Sequence, residues 1–186
     1  MSCYTKKRVS RLVTPNPTTY VFDADIEEVV DAIKEKKRTL LHYGGLRFKG
    51  DRIFYDTSIY NNPNNINDAI LVSIDYIKSK TYYRFGEPAP YNVNFHLHLE
   101  SISEHKTKVE IFTLEPKIVL FEIGIAAIHF GFTWMKKVPP STIEEYEILL
   151  IIGKELGEKG MPACNYPKKW LEYQEKKKRQ VGRPTL

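Results

Sequence analysis

The amino-acid sequence predicts an α+β fold in which one antiparallel sheet is flanked by a helix near its start and another near its end. Three observations carry this expectation. A strand runs directly into a capped helix at residues 18–33, polar and apolar residues alternate with period two from about residue 40 to 136, and residues 141–160 form an amphipathic run.

The segment "TTYVFDAD" (18–25) reads as a strand, with Asp25 as the cap of the helix that follows. Glu28, three residues on, completes a capping box. Val29, Val30 and Ile33 give that helix an apolar face, and the basic run at 34–38 suits its C-terminal dipole. Beyond it, "LRFKGDRIFYD" centres on Gly50-Asp51 and fits a tight hairpin. Then "AILVSIDYI" (69–77), "TYYRF" (81–85), "VNFHLHLE" (93–100), "TKVEIFTLE" (107–115) and an apolar run ending "AIHFGFTWM" (127–135) read as strands. The turn-rich pieces "YNNPNNIND" and "GEPAPYN" separate them. Short links between successive strands imply an antiparallel meander.

The closing helix is expected over 142–159, after Pro139-Pro140, with Ser141 as its cap and Glu144 completing a second capping box. Ile143, Tyr146, Leu149, Leu150, Ile152, Gly153 and Leu156 recur along one broad face, and Gly160 and Pro162 end the run. A glycine inside a helix costs about 1 kcal/mol relative to alanine. Gly153 and Gly157 therefore call for close packing or space for a bound molecule.

With 186 residues, 42% hydrophobic, the chain has enough material for one real core. Its 12 Tyr and 9 Phe favour a ring-rich interior with some hydroxyl tips. The net charge is +5, unevenly placed: residues 168–186 hold seven Lys/Arg against Glu172 and Glu175, and residues 1–12 hold four with no acid. The stretch between is mildly acidic. Three regions follow: a basic N-terminal extension (1–15), a folded domain (16–162) and a basic C-terminal tail (163–186), partly helical or disordered.

The most apolar region is interrupted by Glu122, His129 and the Lys136-Lys137 pair, so a soluble protein is expected. The start "MSCYTKKRV" lacks the apolar centre of a signal peptide, and two cysteines, Cys3 and Cys164, form neither a disulfide framework nor a zinc site. The expectation is cytoplasmic. Its alternative is a lipid anchor through Cys3, had a lipoprotein signal preceded it.

The order of elements, with "YVFDADIEEVVDAI" at the front and "VPPSTIEEYEILLIIGKELG" at the back, resembles the helix-grip superfamily of START-like, polyketide-cyclase-like and birch-pollen-allergen-like (Bet v 1-like, SRPBCC) proteins over residues 16–160. The resemblance implies a curved antiparallel sheet wrapped around a long C-terminal helix, with a cavity between them for an apolar or amphipathic ligand. Residues 38–68 depart from it, since an Asn-rich loop stands where many members carry a second short helix.

Two sets of residues compete as a functional site. His96, His98 and Glu100 lie on one face of a strand at a spacing that some metal sites use, but Val93, Phe95, Leu97 and Leu99 form the apolar face, so both histidines point outward. The cupin pattern also fails, with Ile102, Ser103 and Pro90 at its key positions. No metal or cofactor is expected.

The ring-rich face is the stronger set. Tyr76, Tyr83, Phe85, Phe95, Phe130, Phe132 and Trp134 are expected to converge with Tyr146, Leu150 and Gly153 under the last helix, as the lining of a small-molecule pocket or as a filled core. No acid or base is expected inside that face, and no nucleophile elbow, phosphate loop or zinc-protease motif occurs. The leading expectation is therefore non-catalytic binding of a hydrophobic or amphipathic small molecule, such as a lipid. A cyclase-like enzyme and a protein-interaction module with a filled core are the alternatives. In the tail, "KKKR" and "GRP" fall short of an AT-hook because Val181 precedes the glycine, so no specific nucleic acid is expected, only weak contact with an anionic surface through residues 168–186.

Overall fold

A computed structural model describes residues 9–35, 53–55, 68–125 and 130–181. Within it, seven strands form one antiparallel sheet that curls into a half-barrel, packed with helices. The strands are β1 (Val9–Arg11), β2 (Thr19–Phe22), β3 (Ile53–Tyr55), β4 (Asp68–Arg84), β5 (Glu87–Ser103), β6 (Lys106–Ile125) and β7 (Phe130–Lys137). The helices are α1 (Ile26–Glu35), α2 (Ile143–Glu155) and α3 (Lys168–Val181). Strand order is β1-β4-β5-β6-β2, with β3 also pairing β4 and β7 pairing β6. The Gly50-Asp51 hairpin, the Asn-rich loop, His129 and Cys3 lie outside the described residues.

The first strand and helix follow the sequence expectation closely. Asp25 Oδ1 accepts from the Glu28 backbone N–H at 2.9 Å and Glu28 Oε2 accepts from the Asp25 N–H at 3.1 Å, a complete capping box. Val29, Val30 and Ile33 are buried. Residues before 16 also join the sheet, with Val9–Arg11 pairing Arg84 to Tyr82 at its edge.

The middle region is made of fewer, longer strands than alternation suggests. The stretches at 69–77 and 81–85 form one strand, β4, and "GEPAPYN" lies at the start of β5. The turn between them is Phe85-Gly86, with φ of 54° and 86° between the paired residues Arg84 and Glu87. Two central residues at positive φ match the right-handed twist of the flanking strands. Phe85 is thus a hairpin tip, 67% exposed, and not an inward strand residue.

In β5 the alternation holds: Val93, Phe95, Leu97 and Leu99 are buried while His96 and His98 are half-exposed on the opposite face. In β6 a bulge at Glu115 (φ 45°) opposes Asn92–Asn94 and resets the phase. Val109 and Ile111 face inward before it, Ile118 after it.

The closing helix is shorter than the expected 142–159, and Gly157 is the reason. Its φ is +75°, the Gly157 N–H bonds to the Lys154 carbonyl at 3.3 Å, and the Glu158 N–H bonds to the Gly153 carbonyl at 2.7 Å. This pair of bonds is a Schellman motif, with glycine at the left-handed position after the helix end. Gly157 is therefore a stop signal and meets nothing within 4 Å where a side chain would stand. Gly153 is different: a Cβ there would sit 3.2 Å from Phe22 Cε1 and would clash with Met161 Sδ. The helix does without a side chain at Gly153 so that β2 and the returning chain can close on it.

The C-terminal region is more ordered than a tail. It forms α3, whose Trp170 is 8% exposed and whose Tyr173 stacks on Trp170 at 5.5 Å. Upstream, Asn16 Oδ1 accepts from the Asn165 N–H at 2.8 Å and Thr14 Oγ1 donates to the Asn165 carbonyl, tying the start of the chain to the segment before α3. No described helix is long and apolar enough to cross a membrane.

Two stability predictions follow from this packing. Gly153→Leu is expected to lower stability by about 1–3 kcal/mol through overpacking, measured by urea denaturation; an unchanged midpoint would contradict the close approach of Phe22 and Met161. Deleting residues 176–186 should leave the melting temperature unchanged, whereas deleting residues 168–186 should lower it by several degrees because Trp170 is lost.

Candidate functional site

The site is built where α2 begins, against an irregular stretch of β4. Between Lys78 and Tyr83 the pairing of β4 with β5 shifts register, and Ser79, Lys80, Thr81, Tyr82 and Tyr83 are all buried. The Ser79 hydroxyl accepts from the backbone N–H groups of Thr81 and Tyr82, at 3.1 and 2.9 Å, which satisfies donors that the broken ladder leaves open. The Lys80 N–H is taken by Glu144 Oε1 at 3.1 Å.

That last bond changes the role of Glu144. The cap position of α2 is Thr142, at φ 70° and without a side-chain cap bond, one residue later than the expected Ser141, whose hydroxyl still accepts from the Ile143 N–H at 3.1 Å. Glu144 is turned away from a capping box and toward β4. It is fully buried, and Glu145 is 1% exposed.

Glu147 completes an acidic strip on α2. Its Oε2 lies 2.6 Å from Lys80 Nζ, and its other oxygen accepts from the Tyr166 hydroxyl. Burial raises the Glu147 carboxyl to about 8 and lowers the Lys80 ammonium to about 8. As a pair they are neutral overall whether the proton sits on nitrogen or oxygen. Lys80 Nζ also stands 5.5 Å from the Trp170 ring, so α3 covers the pair.

Glu145 accepts from a different strand of the sheet. Its Oε1 meets the Thr113 hydroxyl of β6. Burial, reinforced by Glu144 and opposed by the Thr113 bond, raises its carboxyl to about 7. Five buried side-chain atoms among the described residues have no hydrogen-bond partner: Thr81 Oγ1, Glu144 Oε2, Glu145 Oε2, the Tyr91 hydroxyl, and Glu147 Oε2, which makes only its ion pair with Lys80. Burial and the two neighbouring carboxyls, Glu144 and Glu145, push the Tyr91 hydroxyl well above the usual tyrosine range.

The ring residues expected to meet under the last helix are only partly brought together. Phe95 and Tyr146 lie in the main core, with Leu150 packed against it half-buried, and Gly153 is buried beside Phe22. The Tyr146 hydroxyl donates to the Pro162 carbonyl at 2.7 Å. Tyr83 is buried outside that cluster, its ring 4.6 Å below the Lys169 ammonium of α3. Phe85 and Trp134, 67% and 59% exposed, do not face the interior. The side chains of Tyr76, Phe130 and Phe132 lie outside the described part.

Sequence reasoning missed Lys80, Tyr91, Glu144, Glu145 and Glu147. The available signal was that residues 143–153 carry apolar side chains on nearly every side, which leaves no solvated face to hold the acids. Among the described residues, no three His, Cys, Asp or Glu groups are placed to hold a metal ion. No known protein family, curated protein or solved structure matches the chain.

The raised Glu145 carboxyl gives a pH dependence with a definite sign. Its folded value of about 7 lies above the ordinary 4.5, so the folded state holds the proton more tightly and the associated stability is present below about pH 4.5 and lost as pH rises through 7. The loss is about 3 kcal/mol between these limits. Glu147, raised to about 8 by burial, contributes a fall of the same sign. Urea denaturation at pH 5 and pH 8 should show a fall for the native chain, a smaller one for Glu145→Gln, and the smallest when Glu147→Gln is added.

Proposed function

We propose that this chain is a helix-grip protein of the START-like superfamily that binds an amphipathic small molecule between the sheet and α2, without catalysis. The observation that carries the reading is the presence of three unpaired polar atoms, on Glu144, Glu145 and Tyr91, deep in an otherwise ring-rich and aliphatic interior. Leaving a buried acceptor unmade costs about 1–3 kcal/mol, so such groups call for a partner. A ligand with one polar end answers this: the end meets Glu144, Glu145 and Tyr91, and its apolar part lies along Phe95, Tyr146 and Leu150. The likeness of element order to the superfamily supports the same arrangement.

A second reading is favoured by one group. A carboxyl held near 7 is poised to give or take a proton at neutral pH, so Glu145 suits the general acid or base of a cyclase-like enzyme acting on the same ligand.

Native mass spectrometry of the purified protein tests the binding reading. The expected result is a species heavier than the apo chain by one discrete small-molecule mass, lost on denaturation. Only apo protein, with no uptake of added eight- to twelve-carbon amphiphiles, would overturn it. Recovery of the bound molecule in chemically altered form would favour the enzyme.

A further inference from the structure

We propose that Glu144, Glu145 and the Tyr91 hydroxyl form a recognition site for an organic ammonium group, which makes the ligand a cationic amphiphile. This rests on the binding reading and narrows its ligand class.

The first ground is charge. α2 places three carboxyl groups in the interface, and β4 answers with one ammonium, Lys80, which is engaged with Glu147 at 2.6 Å. The other cation near these groups is Arg11 of β1. Its guanidinium is on the exposed side, donating to the Pro140 carbonyl at 3.1 Å and lying 6.0 Å from the Tyr82 ring. Lys80 also acts on Glu144 and Glu145, so one buried ammonium is shared among three carboxyl groups, and burying carboxylates with too few cations is unfavourable unless a proton or a positive ligand accompanies them.

The second ground is the count of donors. Glu144 Oε1 is used by the Lys80 N–H and Glu145 Oε1 by Thr113. The remaining oxygen of each is unpaired, as is the hydroxyl of Tyr91, a fully buried residue of β5 within electrostatic reach of both. Glu144 is held on the β4 side and Glu145 on the β6 side, with Tyr91 on β5 between those strands, and three such acceptors equal in number the three N–H donors of a primary ammonium. An alcohol brings one donor. A carboxylate or phosphate brings none and would be repelled by the acid pair. A divalent metal ion would lack ligands, since no three suitable groups are placed for one among the described residues. The rings of Tyr82 and Tyr91, 6.0 Å apart, add π faces that favour a cation.

The groups facing the acid pair are Glu147 from its own helix, Lys80 and Tyr82 from β4, Tyr91 from β5, Thr113 from β6, Arg11 from β1, and Cys164 and Tyr166 from the segment before α3. Glu145 itself, whose carboxyl burial raises to about 7, gives up its proton to an arriving ammonium, so binding at pH 7 releases protons to the buffer.

Isothermal titration of the full chain with octylamine, octanol and octanoate separates the possibilities. Octylamine is expected to bind at least about tenfold more tightly than octanol, and Glu145→Gln should remove that preference, bringing the two affinities within about twofold of each other. Titration in two buffers of different ionisation enthalpy should show proton release with octylamine for the native chain and none for the variant. A melting curve of the variant establishes that it is folded, and Tyr91→Phe, which keeps the ring, provides a second variant that should lower the ratio of octylamine to octanol affinity. Equal affinity for octanol and octylamine, or preference for octanoate, overturns the ammonium site and leaves the binding reading standing. Failure of all three to bind overturns both.

Discussion

The structure depends on how the start of α2 is fastened to a break in β4. A regular strand would have no spare backbone N–H for a helix to use. Because the ladder between β4 and β5 slips at residues 79–82, the Lys80 N–H is available to Glu144, and the Lys80 side chain turns to Glu147 one helical turn on. One residue of the sheet thus holds two successive turns of the helix. The Ser79 hydroxyl makes this arrangement tolerable by satisfying two further donors at the slip. Without it, the bulge would leave buried amides without partners, each costing about 1–3 kcal/mol.

The C-terminal part follows from the same fastening. Once Glu147 is fixed by Lys80, its second oxygen fixes Tyr166, and the chain at Cys164 and Asn165 is pinned from outside by Asn16. α3 then lies over β4, its contacts alternating between cations and rings: Lys78 with Tyr173, Lys80 with Trp170, Lys169 with Tyr83. Such contacts are worth about 0.5–1 kcal/mol each where exposed and more where desolvated. The region that as sequence suggests a solvated basic tail is therefore partly structural: its Lys169 covers the Tyr83 ring, and its Trp170 and Tyr173 rings take the lysines of β4.

What the sequence discloses and what it conceals divide along physical lines. Capping at Asp25 and Glu28, alternation through Val93, Phe95, Leu97 and Leu99, and the antiparallel order are legible because they rest on local chemistry and simple periodicity. The turn at Phe85-Gly86 was not, because a phenylalanine at φ 54° is an uncommon choice that alternation assigns to a strand. Gly157 was read as an interior residue because a helix stop and a packing glycine look the same without the φ angle. The acids of α2 were the hardest case. Glu144 matches the spacing of a capping box, and only the slip in β4, a feature with no sequence signature, turns it toward the sheet.

The buried acids also bear on why the interface is built of ionisable groups at all. Replacing a buried ion pair by well-packed apolar residues is often neutral or stabilising, so Lys80 and Glu147 are weak evidence of selection for stability. Glu144 and Glu145 add to the imbalance, since an interior with Phe95, Tyr146, Leu149 and Ile152 at hand would accept leucine at position 145 with fewer unpaired atoms. A fold seeking only stability has no use for a carboxyl at 1% exposure whose proton leaves near pH 7. Under the proposed binding reading, the groups left without partners, Glu144, Glu145 and Tyr91, are those whose polar demand a bound molecule would satisfy, and the stability of this interface would then be coupled to its occupancy.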